Sequence, residues 1–417
     1  MNHPAPAPVV IVGAGIVGLA TAIWLQRAGR QVTVVDKLGP GGGASFGNGG
    51  ILASCSVVPV TVPGLWKKAP RMAMDPGQPL FLRWSYLPRL APWLVRYLAN
   101  GTAERTRATA RALAQITAGS LQAHQDLAEG TGAEGYVRPS DYLFLYRDRA
   151  HFEGDAFGWG LRAEAGYRWD LLDRAGITAA DPAFGPEIGY AARLGGHGYI
   201  SDPGAYVARL ADHVARSGGR FLKAEVTDIA QEGGRVTGVI AGAERIATDA
   251  VVLTAGAWSG PLARRMGVRV PLESERGYHL DLWNPTVTLR GPVMVAGGKF
   301  VMTPMEGRLR LAGVVEFGGL DAPPSRAPFA LLLKNARAAL PGLGYDRAEE
   351  WMGHRPAPAD SIPLIGAAPG LAGAWMGFGH HHIGMTAGPA TGRLLAGLIN
   401  GARPNIDLAP YAPRRFQ

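Results

Sequence analysis

The residues with the clearest chemical meaning are three glycines near the start of the chain, spaced as G-x-G-x-x-G from Gly13 to Gly18. In that pattern the first glycine permits a tight turn, the second lets a pyrophosphate approach the backbone, and the third lets a helix pack closely on a strand. Asp36 follows Gly18 by 18 residues and could accept hydrogen bonds from ribose hydroxyls. An acidic residue there disfavours a 2′-phosphate, so the spacing predicts NAD or FAD rather than NADP.

The segments around these glycines must form the elements that position them. Val9 to Val12 is a β-branched run typical of a buried parallel strand, and Ile16 to Ala28 has a helical pattern. A second apolar run, Val32 to Val35, ends at Asp36. This order predicts a βαβ unit in a doubly wound parallel sheet of the Rossmann type. The uncharged stretch from Pro8 to Gln26 is long enough for a membrane span, but its glycines and the lack of a basic flank favour strand and helix.

A second glycine-rich segment runs from Gly39 to Gly50, with the sequence GPGGGASFGNGG. Around Ser45 it matches G-x-S-x-G, the nucleophile elbow of hydrolases. The elbow requires a strand before the serine, whereas GPGGG precedes this one. We therefore predict a loop that contacts the cofactor a second time, with the Ser45 hydroxyl on a phosphate.

Three further glycine-containing segments end strands or open helices. Residues 254–258 (TAGAW) follow the apolar run 251–253, in the position where open α/β sheets bind ligands. The segments 353–356 (GHRP) and 377–384 (GFGHHHIG) come later, the second before a helix predicted from Gly384 to Ile399. Three histidines could suggest a metal, but adjacent side chains diverge and no carboxylate or thiol lies near them in the sequence. We expect no metal site, and a turn that opens a helix toward negative charge.

The order of these motifs over nearly the whole chain resembles the D-amino acid oxidase superfamily of FAD enzymes, most of all its bacterial D-amino acid dehydrogenase branch. The resemblance implies an α/β protein with a doubly wound, Rossmann-like FAD-binding domain and a second, mostly antiparallel α+β substrate domain. The FAD-binding domain would comprise residues 1–82, 190–271 and 348–417. The substrate domain would comprise residues 83–189 and 272–347.

The motifs and the resemblance together predict a set of cofactor contacts. The resemblance places the adenosine end near Val226 and the flavin ring at the turn from His381 to Met385. The predicted cofactor-binding residues are Gly13, Ala14, Gly15, Ile16, Val17, Gly18, Asp36, Lys37, Ala44, Ser45, Asn48, Gly49, Gly50, Val226, Ala255, Gly256, Trp258, Gly353, His382, Ile383, Gly384 and Met385. Family members with covalent flavin attach it through a cysteine, and Cys55, the single cysteine, lies in the wrong motif. The resemblance therefore implies non-covalent FAD.

The resemblance also implies which residues contact the substrate. Arg355 would grip a carboxylate, a role that suits a planar guanidinium. Tyr278 would place its hydroxyl near that carboxylate, unless it packs in the core, and His381 could assist. The implied reaction is oxidative deamination of a D-amino acid, in which hydride passes from Cα to flavin N5 and the imine hydrolyses to a 2-oxo acid. Smaller residues are common in relatives where this chain has three histidines, which leaves the size of the substrate open.

Other functions remain open from the sequence. The substrate could instead be a secondary or cyclic amino acid, as in sarcosine-like or D-hydroxyproline-like compounds, or a 2-hydroxy acid. The chain could also be a flavin-carrying subunit of a complex. The resemblance favours a dehydrogenase that passes electrons to a quinone or another acceptor over an oxidase that uses oxygen.

Charge and composition bear on partners and location. The formal charge of +9 on 417 residues reflects an arginine bias, since 36 of the 42 basic residues are Arg. Without a basic run or a recognisable motif, we expect no nucleic-acid partner. The basic, aromatic stretch from Trp66 to Tyr97 could contact a membrane surface or form a packed helical pair. We expect a cytoplasmic protein, which this stretch could bring to the inner face of the cytoplasmic membrane.

Overall fold

A computed structural model of the chain describes residues 7–75 and 77–417. Its strands are β1 Val9–Val12, β2 Val32–Asp36, β3 Leu80–Leu82, β4 Val137–Tyr146, β5 Asp170–Leu172, β6 Tyr190–Ile200, β7 Arg220–Lys223, β8 Val226–Glu232, β9 Arg235–Ala241, β10 Glu244–Ala247, β11 Val251–Leu253, β12 Leu272–Trp283, β13 Val293–Val295, β14 Phe300–Met305, β15 Arg308–Phe317, β16 Arg347–Pro358, β17 Leu364–Ala367 and β18 Ala374–Phe378. In the described part of the chain these strands form sheets of six, three and nine strands.

The helices mostly follow the predicted segments. They are α1 Ile16–Arg27, α2 Leu65–Met74, α3 Leu87–Ala99, α4 Ala103–Thr117, α5 Ser120–Ala128, α6 Arg149–Glu153, α7 Ala156–Glu164, α8 Arg174–Ala180, α9 Pro203–Arg216, α10 Ser259–Arg265, α11 Ala327–Ala339 and α12 Gly384–Ile399. The Ala-rich stretch from Thr102 to Glu129 has a helical pattern throughout, but it forms two helices, α4 and α5, because the chain turns at Gly119, where φ is 63°. None of the helices in the described ranges is both long and apolar enough to span a bilayer.

The six-stranded sheet contains the predicted βαβ unit. Its strand order is β17-β18-β11-β1-β2-β7, and all neighbouring strands are parallel except β17 and β18. The β-branched residues of β1 and β2 are buried on both faces, as the pattern predicts. The predicted doubly wound, Rossmann-like sheet is therefore confirmed. The sequence from Phe221 to Ile229 favours a single strand, but the structure has two, β7 in this sheet and β8 in the three-stranded sheet β10-β9-β8.

The nine-stranded sheet is the mostly antiparallel layer that the resemblance implies. Its order is β16-β12-β15-β14-β13-β4-β6-β5, with β3 paired to β15. Only the pairs β13–β4 and β15–β3 are parallel within the described residues. The long antiparallel strands β12 and β16 pair along their full length and bring Glu275 opposite Arg355.

The predicted domain boundaries remain a prediction, although the structure differs from them at two places. Strands β6 and β16, assigned from sequence to the FAD-binding domain, belong to the nine-stranded sheet. Helices α4 and α5, assigned to the substrate domain, bury Leu113, Ile116 and Leu127 in the same core as α1 and α12. Strand patterns reveal which segments are extended but not which sheet they join, and this accounts for the difference.

Candidate active site

A cavity of about 1260 Å³ lies between the six-stranded and the nine-stranded sheet. Its lining comes from the carboxyl ends of β1, β2, β11 and β18 and from β12, β15 and β16. The volume exceeds the roughly 300–1,000 Å³ usual for small-molecule pockets. It therefore has room for a dinucleotide together with a small substrate.

The first glycine turn is shaped for close backbone approach. Gly13 has a φ of 111°, and a Cβ there would lie 2.5 Å from the carbonyl oxygen of Thr254. A Cβ at Gly18 would lie 2.0 Å from the carbonyl oxygen of Gly13. Helix α1 begins directly after this turn, so its free N–H groups and positive dipole end face the cavity. The amide of Ile16 already donates to Oγ of Ser45, at 3.0 Å.

Asp36 ends β2 beside that turn and ties it to the next loop. Its Oδ2 accepts from the amide of Ala14 at 2.8 Å, and its Oδ1 accepts from the amides of Leu38 at 2.7 Å and Gly39 at 2.9 Å. The residue lines the cavity. A carboxylate held in this way keeps further lone pairs for a ribose hydroxyl.

Side chains of the nine-stranded sheet hold the loop that contains Asn48. Arg310 donates from Nη1 to the carbonyls of Phe46 at 3.1 Å and Asn48 at 2.8 Å. Nδ1 of His279 lies 3.0 Å from the carbonyl oxygen of Gly47, and Thr303 donates to the carbonyl of Gly49. These residues lie more than 200 positions away in the sequence, so local patterns could not identify them.

Arg355 lies on β16 at the other end of the site and lines the cavity. Its guanidinium donates to the carbonyl oxygens of Val314 at 3.2 Å and Gly313 at 3.3 Å. The guanidinium packs over Gly277, where a Cβ would lie 2.5 Å from Cζ. Burial lowers the pKa of Arg355, and the carboxylate of Glu275 opposes that shift. The remaining N–H groups of the Arg355 guanidinium suit a carboxylate ligand.

Tyr278 is not brought together with Arg355. Its hydroxyl donates to Oε2 of Glu316 at 2.6 Å and accepts from the amide of Ser325 at 3.1 Å. Arg276 bonds the same glutamate, so both side chains lie on the face of β12 opposite to Gly277 and Arg355. Tyr278 borders the cavity, but its hydroxyl points toward Glu316 and Ser325. The alternative of a core-packing tyrosine describes it better.

Of the three histidines before α12, two contact each other and the third points away from them. Nε2 of His380 lies 2.9 Å from Oγ1 of Thr391, away from its neighbours. His381 is buried and adopts a φ of 53°, in the left-handed region. Its Nδ1 lies 2.6 Å from Nδ1 of His382, and its Nε2 lies 2.9 Å from Oε1 of Glu275. Across the described residues, no three side chains of His, Cys, Asp or Glu are grouped to hold a metal ion.

Glu275 is a site residue that the sequence did not reveal. It is only 2% exposed, and its Oε2 has no hydrogen-bond partner among the described residues. Burial alone would raise the pKa of this carboxyl, but His381, Arg355 and His382 together hold it below the usual value. It precedes Arg276 in an ordinary strand pattern, so only the antiparallel pairing with β16 shows that it faces the site.

Comparison with known proteins agrees with this geometry. The family model described as "FAD dependent oxidoreductase" matches residues 8–398. The chain belongs to this family of FAD-dependent oxidoreductases. It is 39% identical over 415 residues to a D-amino-acid oxidase of Bradyrhizobium diazoefficiens, covering 98% of each chain. It is 33% identical over 421 residues to a D-amino acid dehydrogenase of Paramagnetospirillum magneticum, again covering 98% of each chain.

The solved structures that it resembles show the fold. Glycine oxidase from Geobacillus kaustophilus has a TM-score of 0.75 at 23% identity, covering 98% of each chain. L-proline dehydrogenase from P. horikoshii has a TM-score of 0.76 at 19% identity, covering 99% of this chain and 98% of that one. The resemblance read from the sequence motifs, and the two-layer fold it implied, are therefore confirmed.

The residues present fit FAD. Gly13 and Gly18 leave no room for a Cβ, as the tight turn and the close helix–strand packing of the dinucleotide-binding motif require, and Asp36 lies at the ribose position of the motif. Nζ of Lys37 stacks over the ring of Trp258 at 4.2 Å at the same edge of the cavity. Cys55 is fully buried and does not line the cavity, and burial raises the pKa of its thiol to about 11. The cofactor is FAD, held without a covalent bond.

Most of the predicted cofactor-binding residues line the cavity. Those that do are Gly13, Gly15, Ile16, Val17, Asp36, Lys37, Ala44, Ser45, Asn48, Gly49, Val226, Ala255, Gly256, Trp258, Gly353, His382, Gly384 and Met385. Ala14, Gly18, Gly50 and Ile383 do not. Gly18 and Ile383 instead serve packing, since Gly18 abuts the backbone of Gly13 and Ile383 is buried in the core. The individual cofactor contacts remain predictions.

Proposed function

We propose that this protein is an FAD-dependent dehydrogenase that deaminates a D-amino acid by oxidising its Cα–N bond. One observation carries the proposal. Arg355, which forms no ion pair with any described residue, lines the same cavity as the glycine turns that fit FAD. The names of the relatives at 39% and 33% identity support D-amino acids as the substrate class.

The chain's own residues account for binding and orientation. The Arg355 fork would hold the substrate carboxylate through two parallel hydrogen bonds, which fixes the direction of the Cα–H bond. When bound, FAD supplies the acceptor for a hydride equivalent. The buried surroundings exclude water while the bond is oxidised, and the imine product hydrolyses to a 2-oxo acid and ammonia.

We propose a quinone, or another acceptor in place of oxygen, as the oxidant. The support is an exposed apolar and basic surface on α2 and the turn that follows β3. Trp66, Met74 and Trp84 are 61%, 68% and 58% exposed, and Lys67 and Arg71 are exposed beside them. Such a surface suits contact with the inner face of the cytoplasmic membrane. The rate of quinone-analogue reduction under nitrogen, compared with oxygen consumption, tests this choice.

The central experiment combines substrate screening with removal of the arginine. Anaerobic bleaching of the flavin is measured against D-amino acids, L-amino acids, secondary amino acids and 2-hydroxy acids, with ammonia assayed in parallel. We expect D-amino acids to bleach the flavin and release ammonia. Arg355→Leu should then raise KM by about 100-fold or more, the loss of roughly 3 kcal/mol from a charged hydrogen-bonded pair, with FAD still bound.

A matched control is Arg168→Leu, which removes an exposed arginine whose side chain reaches only the carbonyl of Tyr167. Its KM should stay within about twofold of the wild type, as for most surface substitutions. Unchanged turnover in Arg355→Leu would remove Arg355 from the site. Bleaching by hydroxy acids without ammonia release would replace the proposed substrate class.

A further inference from the structure

Three side chains that line the cavity contact one another in series. Glu275 is 2% exposed, His381 is 5% exposed, and His382 is exposed where it borders the cavity. Oε1 of Glu275 lies 2.9 Å from Nε2 of His381, and Nδ1 of His381 lies 2.6 Å from Nδ1 of His382. At that second distance, one of the two ring nitrogens must carry the proton that the other accepts.

The backbone at His381 adopts a conformation that non-glycine residues seldom take. Its φ of 53° lies in the left-handed region, which a glycine would adopt without strain. Strained conformations of this kind concentrate at functional sites, where surrounding structure holds them in place. The same residue also brings a buried ring next to a buried carboxylate. Simple packing requires neither feature.

We propose that Glu275, His381 and His382 form a proton relay that neutralises the substrate ammonium group before its Cα–N bond is oxidised. The inference rests on the proposed function, because it needs an amine substrate held by Arg355 in the same cavity. An ammonium has no lone pair with which to form the C=N bond, so one proton must leave it. All three side chains of the relay line the cavity, and His382 is the most exposed of them, so we assign the first proton transfer to its ring.

The relay moves one proton and no electrons. In its resting form Glu275 is ionised, His381 carries its proton on Nε2, and His382 carries its proton on Nδ1. The ammonium nitrogen gives a proton to Nε2 of His382, and the Nδ1 proton of His382 passes to Nδ1 of His381. The products are a neutral amine and a His381 imidazolium beside the Glu275 carboxylate. The Nε2–H of His381 is not aligned on Oε1, so the charge is stabilised as an ion pair.

The surroundings disfavour charge on His382, whereas the carboxylate of Glu275 lies directly beside His381. Partial desolvation of its ring in the cavity wall and the neighbouring His381 lower the pKa of His382, so it would transmit a proton and not retain it. Two other ionisable groups face the relay. The hydroxyl of Tyr97, from α3, lies 3.4 Å from Oε1 of Glu275 and stays neutral, because burial raises its pKa far above the usual range. Arg355, from β16, supplies a fixed positive charge opposite Glu275.

The test is the pH dependence of kcat/KM for Glu275→Gln against the wild type, using the D-amino acid that bleaches the flavin best. At pH 7 we expect Glu275→Gln to lose about 100-fold or more, within the range of general acid–base catalysis. At pH 10, where much of the substrate is already a neutral amine, the difference should shrink to less than about threefold. The acid limb of the variant should move upward by more than one pH unit.

Two further measurements separate a relay from a structural role. The dissociation constant of benzoate, an unreactive carboxylate, is measured by its perturbation of the flavin absorbance. It should not rise in Glu275→Gln if the cavity is intact. His382→Gln changes a side chain at the cavity and not in the core. Its kcat/KM should also fall below that of the wild type at pH 7 and approach the wild-type value at pH 10. His380→Gln, whose side chain faces Thr391, should keep the wild-type shape of the pH profile.

The outcomes are distinguishable. A deficit in both Glu275→Gln and His382→Gln that is equal at pH 7 and pH 10 overturns the relay but leaves the proposed function standing. If the wild type bleaches with no amine substrate, the proposed function and the relay both fail. Should Glu275→Gln not fold, the His382→Gln profile decides alone, and parallel profiles for it and the wild type overturn the relay.

Discussion

Two turns open helices toward the same cavity, and they meet it in different ways. The turn from Gly13 to Gly18 has no ionisable side chain and presents backbone amides at the start of α1. The turn from Gly379 to Gly384 carries three histidines at the start of α12. In the first turn Gly13 and Gly18 leave no room for a Cβ, as the dinucleotide-binding motif requires, whereas the second turn holds His381 in the left-handed region. We therefore expect the first turn to bind its ligand through backbone groups and the second turn to act through its side chains.

The helices that follow the two turns, α1 and α12, pack against each other. Helices α1 and α12 pack so closely that a Cβ at Gly392 would lie 2.5 Å from Cβ of Ala20. A substitution in either turn can therefore disturb both, and each experiment needs a readout for each turn. Flavin content reports on the first turn, and the pH dependence of stability reports on the second.

Gly18→Ala should have the largest effect, because there is no room for a Cβ at this position of the first turn. The new Cβ would lie 2.0 Å from the carbonyl oxygen of Gly13 and 2.8 Å from Oγ1 of Thr254. Overpacking of this kind costs about 1–3 kcal/mol or more, and the backbone must shift where the pyrophosphate would bind. We expect the flavin-to-protein absorbance ratio to fall at least tenfold.

The control for that experiment is Gly160→Ala, another glycine within a helix. A Cβ there meets nothing within 4 Å, and the residue is exposed in α7. It should retain full flavin and gain up to about 1 kcal/mol from helix propensity. A Gly18→Ala protein with normal flavin content would show that the first turn does not depend on close backbone packing.

Gly18→Ala adds a side chain to the first turn, whereas His381→Gly removes one from the second. Glycine relieves about 1–2 kcal/mol of left-handed strain, but it removes the Nε2–H group of His381 from beside the ionised, buried Glu275, and a buried charge left uncompensated costs about 3–5 kcal/mol. The net expectation is a protein destabilised by about 2 kcal/mol at pH 7 in urea unfolding. A variant more stable than the wild type would mean that the Glu275 contact contributes less than the strain.

The pH dependence of that loss follows from Glu275. Its pKa is held below the usual value in the folded protein, against burial, by His381, Arg355 and His382. A carboxyl with a depressed folded pKa stabilises the protein above its unfolded pKa, and that contribution disappears as the pH falls through the folded pKa. The destabilisation by His381→Gly should therefore be largest near pH 7 and shrink toward pH 4. A loss that does not change with pH would exclude an ionised Glu275.

Asp36→Asn should have a smaller effect on the first turn. The carboxylate accepts from three amides, those of Ala14, Leu38 and Gly39, and an asparagine NH₂ group cannot accept from the amide it faces. One unsatisfied donor costs about 1–3 kcal/mol, so the dissociation constant of FAD should rise about tenfold. Flavin fluorescence during titration of the apoprotein measures this. Asp36→Glu, which keeps the charge, should bind FAD more tightly than Asp36→Asn.

How far the sequence could predict the site differs between the two turns. The contacts of the first turn are local: strand, glycines, helix and Asp36 all lie within one βαβ unit, so spacing alone identifies them. The second turn depends on a partner more than 100 residues away, because Glu275 reaches His381 only through the pairing of β12 with β16. The same limit applies to Tyr278, since the face of a strand that meets a cavity depends on how two sheets pack. It also explains why the predicted domain boundaries group β6 and β16 with the FAD-binding domain, whereas both strands pair in the nine-stranded sheet.

Ser45→Ala should have the smallest effect. It tests whether a side chain beside the first turn contributes to FAD binding. Oγ of Ser45 accepts from the amide of Ile16, a capping contact for α1 that comes from a different loop, since Gly15 at the helix start offers no side chain. Removing a cap costs about 1 kcal/mol. If capping is its only role, apoprotein and FAD-saturated protein should lose equal free energy of unfolding. A larger loss in the FAD-saturated protein would show that the hydroxyl also contacts a phosphate, so that even the backbone turn depends on one side chain.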